Sequence, residues 1–217
     1  MDIKIGKKIS PRIIIFTAFI LAFSMLSVAV IAGWTRALDE YIYLVLSDQV
    51  QGIVLDFFAC FTYLGSVYVV LPLMIGVMYF FYISKKSDLT LNYGIMMASA
   101  LLSFLVVKYL IGRPRPGAGM EHPSISIVYG YPSGHTTGMF TLLLGFYVFY
   151  FLKWKGKGNG FILAFCLLIA SGVGFSRLAV GVHYLTDILG GVLLSGIWVT
   201  FFYIWIGEEE SDGIADG

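Results

Sequence analysis

The chain has 217 residues, of which 59% are hydrophobic and only 12% are charged, and its formal net charge at pH 7 is +1. Soluble domains carry about 25% charged residues, so this composition excludes an ordinary water-soluble globular protein. The small net charge and the lack of a basic tract give no indication of nucleic-acid binding. Long apolar runs separated by basic residues instead predict an all-α, polytopic membrane protein.

Six apolar runs approach the length of a membrane-spanning helix. They predict spans near residues 13–33, 57–83, 91–111, 136–152, 161–175 and 185–206. Segment 34–56 mixes charged and apolar residues, which predicts an amphipathic or interfacial helix before the second span. Pro72 lies inside the second span, where a proline is expected to kink a helix.

Residues 1–207 are therefore predicted to form one six-helix membrane domain, and the acidic residues 208–217 a disordered tail. The basic N-terminus resembles a signal peptide, but the apolar run behind it is too long, so we expect a retained first span. Cys60 and Cys166 lie within apolar runs, and we expect each to be a small buried hydrophobe.

The basic residues predict the orientation of the spans. Six spans would leave both termini on one side, and nine of the 14 Lys and Arg side chains fall on that side. The positive-inside rule assigns it to the cytoplasm. Four of the other five cations belong to polar blocks at the opposite ends of the spans, namely Lys108, Arg113, Arg115 and Arg177. A candidate site is therefore expected at the extracytoplasmic face.

The last block contains Ser176, Arg177, His183 and Asp187. His183 and Asp187 are four residues apart and would share a helix face. A carboxylate there can accept from one imidazole nitrogen, fix the tautomer and leave the other nitrogen free to attack. The same pair also fits a helix-end histidine and a first-turn aspartate favoured by the helix dipole. The spacing alone favours neither interpretation.

The middle block, Pro132-Ser133-Gly134-His135, lies just before the fourth span. Ser133 is suited to cap that helix, and amides around Gly134 would favour an anion at its positive end. His135 would then lie beside whatever the amides hold. A plain helix cap with an interfacial histidine is the simpler interpretation of this block when it is taken alone.

The first block places Lys108 and Arg115 seven residues apart at the end of the third span. Lys108 could extend to the lipid headgroups, and Arg113 and Arg115 could bind anionic lipid. Charge at this depth is nevertheless expensive and commonly functional. Arginine suits phosphate because its planar guanidinium bonds two oxygens at once, and lysine adds a point charge.

Together, the three blocks resemble the signature of the type 2 phosphatidic acid phosphatase family, which also includes the vanadium haloperoxidases. Every signature position is filled in this chain. The matching pattern is Lys108-x6-Arg115-Pro116, Pro132-Ser133-Gly134-His135 and Ser176-Arg177-x5-His183-x3-Asp187.

The resemblance implies a role for each matching residue. His183 would be the nucleophile that forms a phosphohistidine, Asp187 would orient it, and His135 would act as the general acid and base. The phosphoryl oxygens would be bound by Lys108, Arg115, Ser133, Gly134 and Arg177. The family needs no metal or other cofactor, and the few acidic residues here do not suggest a carboxylate cage for a cation. Arg113 would support the site or contact lipid, and His122 matches no signature position.

The resulting expectation is an integral membrane phosphatase, of prokaryotic cell-membrane type, that acts on phosphatidate, phosphatidylglycerophosphate or a polyprenyl diphosphate. Its partners would be the lipid substrate and the bilayer, without nucleic acid or an obligate protein partner. A lipid phosphotransferase with the same intermediate and a transporter of phosphorylated lipid are the alternatives. The apolar spans argue against a vanadate-dependent peroxidase. Whether loop 117–131 closes as a lid is left open.

Overall fold

A computed structural model describes residues 10–116, 129–155 and 157–212. Its α-helices are α1 Pro11–Ile31, α2 Arg36–Gln49, α3 Ile53–Phe61, α4 Val67–Ile83, α5 Ser87–Ile111, α6 Gly134–Tyr147, α7 Gly160–Ala179 and α8 Leu185–Asp212. A short 3-10 turn, Thr62–Gly65, joins α3 to α4, and α6 continues as a π-helical segment, Val148–Trp154. Within the described ranges the chain forms helices and one isolated β-bridge, without a strand.

Six membrane spans can be drawn from these helices, as predicted. Five are long and apolar enough to cross a bilayer, namely α1, α5, α6 with its π-helical continuation, α7 and α8. The sixth is the pair α3 and α4, which is bent by 43°. The protein is therefore an all-α, polytopic membrane protein. The basic N-terminal residues before Ser10 lie outside the described part of the chain.

The bend in the second span lies six residues before the position that the sequence predicts. Ser66 has an extended backbone (φ −72°, ψ 155°), which ends the helical path before α4 begins. Pro72 instead lies inside α4, which continues through it to Ile83. Pro72 is in the second turn of α4, where its missing N–H removes one helical hydrogen bond. The 43° bend of this span therefore lies at Ser66 and not at Pro72.

Helix α6 lies at the centre of the bundle and packs against α4, α5, α7 and α8. Small residues allow α8 to approach it closely, because a Cβ on Gly191 would lie 2.9 Å from the Ser133 carbonyl oxygen. Ser195 of α8 also donates to the Thr137 carbonyl of α6 at 3.0 Å. Such small and polar contacts are typical of helix pairs within membranes. They fix the start of α6 against the start of α8.

The first and last described spans also meet, because α1 packs along α8. A Cβ on Gly196 of α8 would overlap the ring of Phe19, so the two helices approach closely there. Ser27 of α1 hydrogen-bonds Tyr131, just before α6, at 2.9 Å. Helix α8 extends to Asp212, past the predicted end of the last span at residue 206. Residues 213–217 of the predicted tail lie outside the described chain.

Candidate active site

His183 and Asp187 form a buried pair at the start of α8. The imidazole Nδ1 lies 3.1 Å from Asp187 Oδ2, and the two residues are 2% and 0% exposed. Gly181, with a φ of +73°, allows the turn between α7 and α8 that brings His183 to this position. The Asp187 carboxylate also accepts an N–H from Arg113, so it acts as an ionised acceptor. Nδ1 of His183 is therefore assigned as the nitrogen that carries the hydrogen and donates to Asp187. Nε2 then keeps its lone pair.

The oxygens of Asp187 accept three further hydrogen bonds from residues outside α8. Its Oδ2 accepts from the Tyr184 amide at 3.0 Å, and its Oδ1 accepts from Arg113 Nη1 at 2.8 Å. Its backbone carbonyl accepts from the Ser133 amide at 2.9 Å. A Cβ at Gly130 would lie 2.8 Å from Oδ2, so the chain there passes close beside the carboxylate. The predicted orienting residue is therefore held rigidly.

Burial sets the charge of His183. Removal from water lowers the pKa of this imidazole to about 4, although the hydrogen bond and charge of Asp187 oppose the shift. Positive charge on Arg177 and Arg115 lowers the pKa further. His183 is therefore neutral at physiological pH, which is the form that can act as a nucleophile.

Ser133 caps the N-terminus of α6, as predicted. Its hydroxyl oxygen accepts from the Thr136 amide at 3.4 Å and from the Thr136 hydroxyl at 3.0 Å. Gly134 follows, and a Cβ there would lie 2.9 Å from the ring of Phe104. His135 lies in the first turn of α6. The positive end of the helix therefore points toward the same region as this histidine.

Two cations of the first block share one backbone acceptor. Lys108, which is 1% exposed, donates to the carbonyl oxygens of Tyr129 at 2.9 Å and Gly130 at 3.1 Å. Arg115 Nε donates to the same Tyr129 oxygen at 3.3 Å. A bridge between Pro114 and Tyr129 joins the two described ends of the long loop. This bridge holds the first block, which contains Lys108 and Arg115, beside the second block, which contains Ser133 and His135.

Arg177 lies in the last turn of α7, and only part of its guanidinium is hydrogen-bonded. Nη1 donates to the Thr62 hydroxyl at 2.8 Å, but Nε is buried and has no hydrogen-bond partner among the residues that the structure describes. A buried donor without an acceptor is costly and calls for an explanation. An anion that binds between Arg177 and the other cations would provide the acceptor.

The three blocks form one electrostatic cluster. The positive charges of Arg177, Arg115 and Lys108 all act on His135. Asp187 acts on both Lys108 and Arg115. Burial lowers the pKa of Arg115, and Asp187 opposes that shift. Within the described residues no group of three or more His, Cys, Asp or Glu side chains is arranged to hold a metal ion.

The structure adds residues that the sequence did not single out. Asp39 of α2 is fully buried and accepts a hydrogen bond from Arg113, which in turn contacts Asp187. Arg113 therefore supports the site, one of its two expected roles. Asp39 is one of three carboxylates in α2, with Glu40 and Asp48, so the sequence does not distinguish it, and nothing in the sequence marks Thr62. His122 lies outside the described residues.

A family model described as the PAP2 superfamily matches residues 89–211. Phosphatidylglycerophosphatase B from Bacillus subtilis (strain 168) is 32% identical over 154 residues, which cover 69% of this chain and 72% of that protein. The putative undecaprenyl-diphosphatase YbjG from Escherichia coli (strain K12) is 28% identical over 127 residues, which cover 57% of this chain and 60% of that protein.

Solved structures resemble the fold as well. The crystal structure of a transmembrane PAP2 type phosphatidylglycerolphosphate phosphatase from Bacillus subtilis aligns with a TM-score of 0.76 and 26% identity, covering 89% of this chain and 96% of that one. Aquifex aeolicus LpxE aligns with a TM-score of 0.55 and 24% identity, covering 77% and 94%. The second likeness concerns the fold alone.

Proposed function

The chain belongs to the PAP2 superfamily and is a phosphoric ester hydrolase of its membrane-spanning branch, and on that premise we propose that it removes phosphate from a membrane lipid through a phosphohistidine intermediate. The substrate would be a phosphate monoester or a diphosphate. Relatives named for phosphatidylglycerophosphate and undecaprenyl diphosphate support these two classes. Phosphatidate fits the same chemistry.

The observation that carries this proposal is a buried nucleophile pair beside three buried or half-buried cations. His183 and Asp187 supply the pair. The cations are Lys108, Arg115 and Arg177, and Arg177 retains a buried N–H without an acceptor in the described part of the chain. A phosphoryl group in transfer spreads negative charge over its equatorial oxygens and needs donors around them. The cluster matches that requirement.

In the first step, His183 Nε2 would attack the phosphorus in line with the departing oxygen. The N–P bond forms while the P–O bond to the lipid breaks, and His135 gives its proton to the leaving oxygen. The imidazole ring gains positive charge as it becomes phosphorylated. The hydrogen bond from Nδ1–H to Asp187 offsets that charge.

In the second step, a water molecule would attack the phosphohistidine. His135, now unprotonated, takes a proton from the water, the N–P bond breaks, and inorganic phosphate leaves. His183 returns to its neutral form, and His135 is again protonated for the next turnover. Lys108, Arg115 and Arg177 would stabilise the transferring group in both steps.

The orientation is part of the proposal. The distribution of basic residues supports cytoplasmic termini and an extracytoplasmic site. A lipid could then keep its tail in the bilayer while its phosphate enters from the outer face. An epitope tag on the C-terminus should be accessible only after cells are permeabilised, and labelling of intact cells would contradict this orientation.

The function is tested by phosphate release from detergent-solubilised protein. The substrates are phosphatidate, phosphatidylglycerophosphate and a polyprenyl diphosphate, each with excess chelator. We expect release that survives the chelator and is abolished in His183→Ala. His122→Ala is the matched control, because it makes the same substitution outside the three blocks.

The intermediate needs its own measurement. Acid quenching destroys a phosphohistidine but alkaline quenching preserves it, so ³²P from labelled substrate should remain on the wild-type chain only after an alkaline quench. Absence of phosphate release from all three lipids would contradict a phosphatase of these substrates. Phosphate found on an alcohol acceptor instead of water would indicate a phosphotransferase.

A further inference from the structure

Among the described acidic residues outside the signature blocks, Asp39 of α2 is the most deeply buried, at 0% exposure. Its Oδ2 accepts from Arg113 Nη2 at 2.7 Å and from the Thr186 hydroxyl at 2.6 Å. Its Oδ1 accepts from the Thr186 amide at 3.0 Å. Three donors on two distant parts of the chain therefore converge on one carboxylate.

The same contacts connect Asp39 to the nucleophile pair. Arg113 donates through Nη2 to Asp39 and through Nη1 to Asp187 Oδ1 at 2.8 Å, so one guanidinium lies between two carboxylates. Arg113 is 12% exposed, and the ring of Tyr184 covers it at 4.5 Å. A chain of direct contacts thus runs from Asp39 through Arg113 and Asp187 to His183.

Asp39 also completes the N-terminus of α8. The first amides of a helix have no partner within the helix. The Thr186 amide, in the first turn of α8, is satisfied by Asp39, while the Tyr184 amide is satisfied by Asp187. The carboxylate of α2 therefore caps α8 from another helix, next to the residue that orients His183.

Charge counting indicates a second effect of Asp39. Asp39, Arg113 and Asp187 together carry a net charge of −1, which faces His183. This remaining negative charge can offset the positive charge that the imidazole gains during attack. Without the charge of Asp39, Arg113 would neutralise Asp187, and the cluster would face the phosphorylated ring with no net charge.

We propose that Asp39 is a positioning residue for the phosphoryl transfer, which acts through Arg113 to keep Asp187 aligned and effectively anionic toward His183. The inference rests on the proposed function, since it concerns the rate at which His183 is phosphorylated. It also assigns α2 a role beyond lying at the membrane surface, because this helix carries part of the catalytic support.

The central variant is Asp39→Asn, which keeps the size of the side chain and an oxygen that can accept from Thr186, but removes the charge. Supporting residues of this kind commonly change activity by about 10- to 100-fold. We expect kcat to fall by about that factor while KM changes by less than about threefold. Asp48→Asn is the control, since Asp48 is an exposed residue of the same helix.

The double variant Asp39→Asn/Arg113→Gln separates positioning from a general loss of structure. Removing both charges returns the cluster to a net charge of −1 on Asp187. We therefore expect the double variant to have a higher kcat than Asp39→Asn alone, although two contacts have been removed instead of one. Damage to the fold would make the double variant the slower of the two.

The inference is tested by the rate of ³²P incorporation into the chain in a single turnover, together with steady-state kcat and KM. A slow incorporation step in Asp39→Asn that recovers in the double variant supports the inference. Equal rates in Asp39→Asn and Asp48→Asn would overturn it and leave the phosphatase function intact. If the wild-type protein released no phosphate, the proposed function would fail, and this inference with it.

Discussion

Arg177 in the last turn of α7 donates a hydrogen bond of 2.8 Å to the hydroxyl of Thr62, in the turn that bends the second span. The contact joins residues that are 115 positions apart in the chain. It fixes one edge of the Arg177 guanidinium and leaves the buried Nε available. The break in the span therefore helps to orient a predicted phosphate-binding residue.

Thr62→Val should weaken catalysis by loosening Arg177. The substitution preserves side-chain shape but removes the acceptor, and a hydrogen bond to a charged group contributes about 1.5–3 kcal/mol. We expect kcat/KM for a lipid phosphate to fall by about tenfold or more. Thr62→Ser, which keeps the hydroxyl, should stay within about threefold of the wild type. Equal values for the valine and serine variants would show that this contact does not position Arg177.

His135→Ala should separate the two chemical steps. p-Nitrophenolate leaves without a proton, so with p-nitrophenyl phosphate the first step no longer needs the general acid, whereas attack by water still needs the base. General acid and base catalysis each contribute about 10²- to 10⁴-fold. We expect a burst of about one p-nitrophenol per chain followed by slow turnover. A linear time course with no burst would argue against His135 as the base.

Stability should depend on pH through His183. Its pKa is about 4 in the folded protein, against an ordinary value of 6.5. Between these values the unfolded chain binds more protons, so acidification through this window favours unfolding. His183→Gln removes the titrating group. The Tm of the wild type minus the Tm of this variant should therefore be smaller at pH 5 than at pH 7. A constant difference across that range would contradict a depressed pKa.

Gly191→Ala should displace α6 from α8. The added Cβ would lie 2.9 Å from the Ser133 carbonyl and 3.2 Å from the Thr137 amide, and both are backbone atoms that cannot rotate away. Overpacking of this kind costs about 1–3 kcal/mol. We expect a lower Tm and a lower kcat, because His135 moves relative to His183. Gly76→Ala is the control, since no atom lies within 4 Å of a Cβ there.

The helical bundle and the three polar blocks could be predicted because both leave local patterns in the sequence. Apolar runs of bilayer length define the spans. The spacings of Lys108 and Arg115, and of His183 and Asp187, are fixed within single stretches. Each block is therefore recognisable without knowledge of what lies beside it in space.

Asp39 and Thr62 could not be predicted in the same way, since their importance depends on contacts across 147 and 115 positions. A carboxylate in α2 resembles an ordinary polar residue of an interfacial helix until Arg113 and Thr186 are placed against it. Likewise, Pro72 is the strongest local signal for a bend, yet the chain bends at Ser66. The turn Thr62–Gly65 packs against α6 and α7, and these contacts cannot be read from the sequence of the span.

The packing of α1 along α8 has a consequence for biosynthesis. A ribosome makes α1 first, but α8 is the main helix that α1 contacts among the described residues, so α1 lacks this partner until α8 has entered the bilayer. The proposed nucleophile His183 and its proposed orienting carboxylate, Asp187, also emerge only after α7. A nascent chain arrested at the end of α7 would carry every cation of the proposed site without His183 and Asp187, so we expect hydrolysis to begin only once α8 has been inserted.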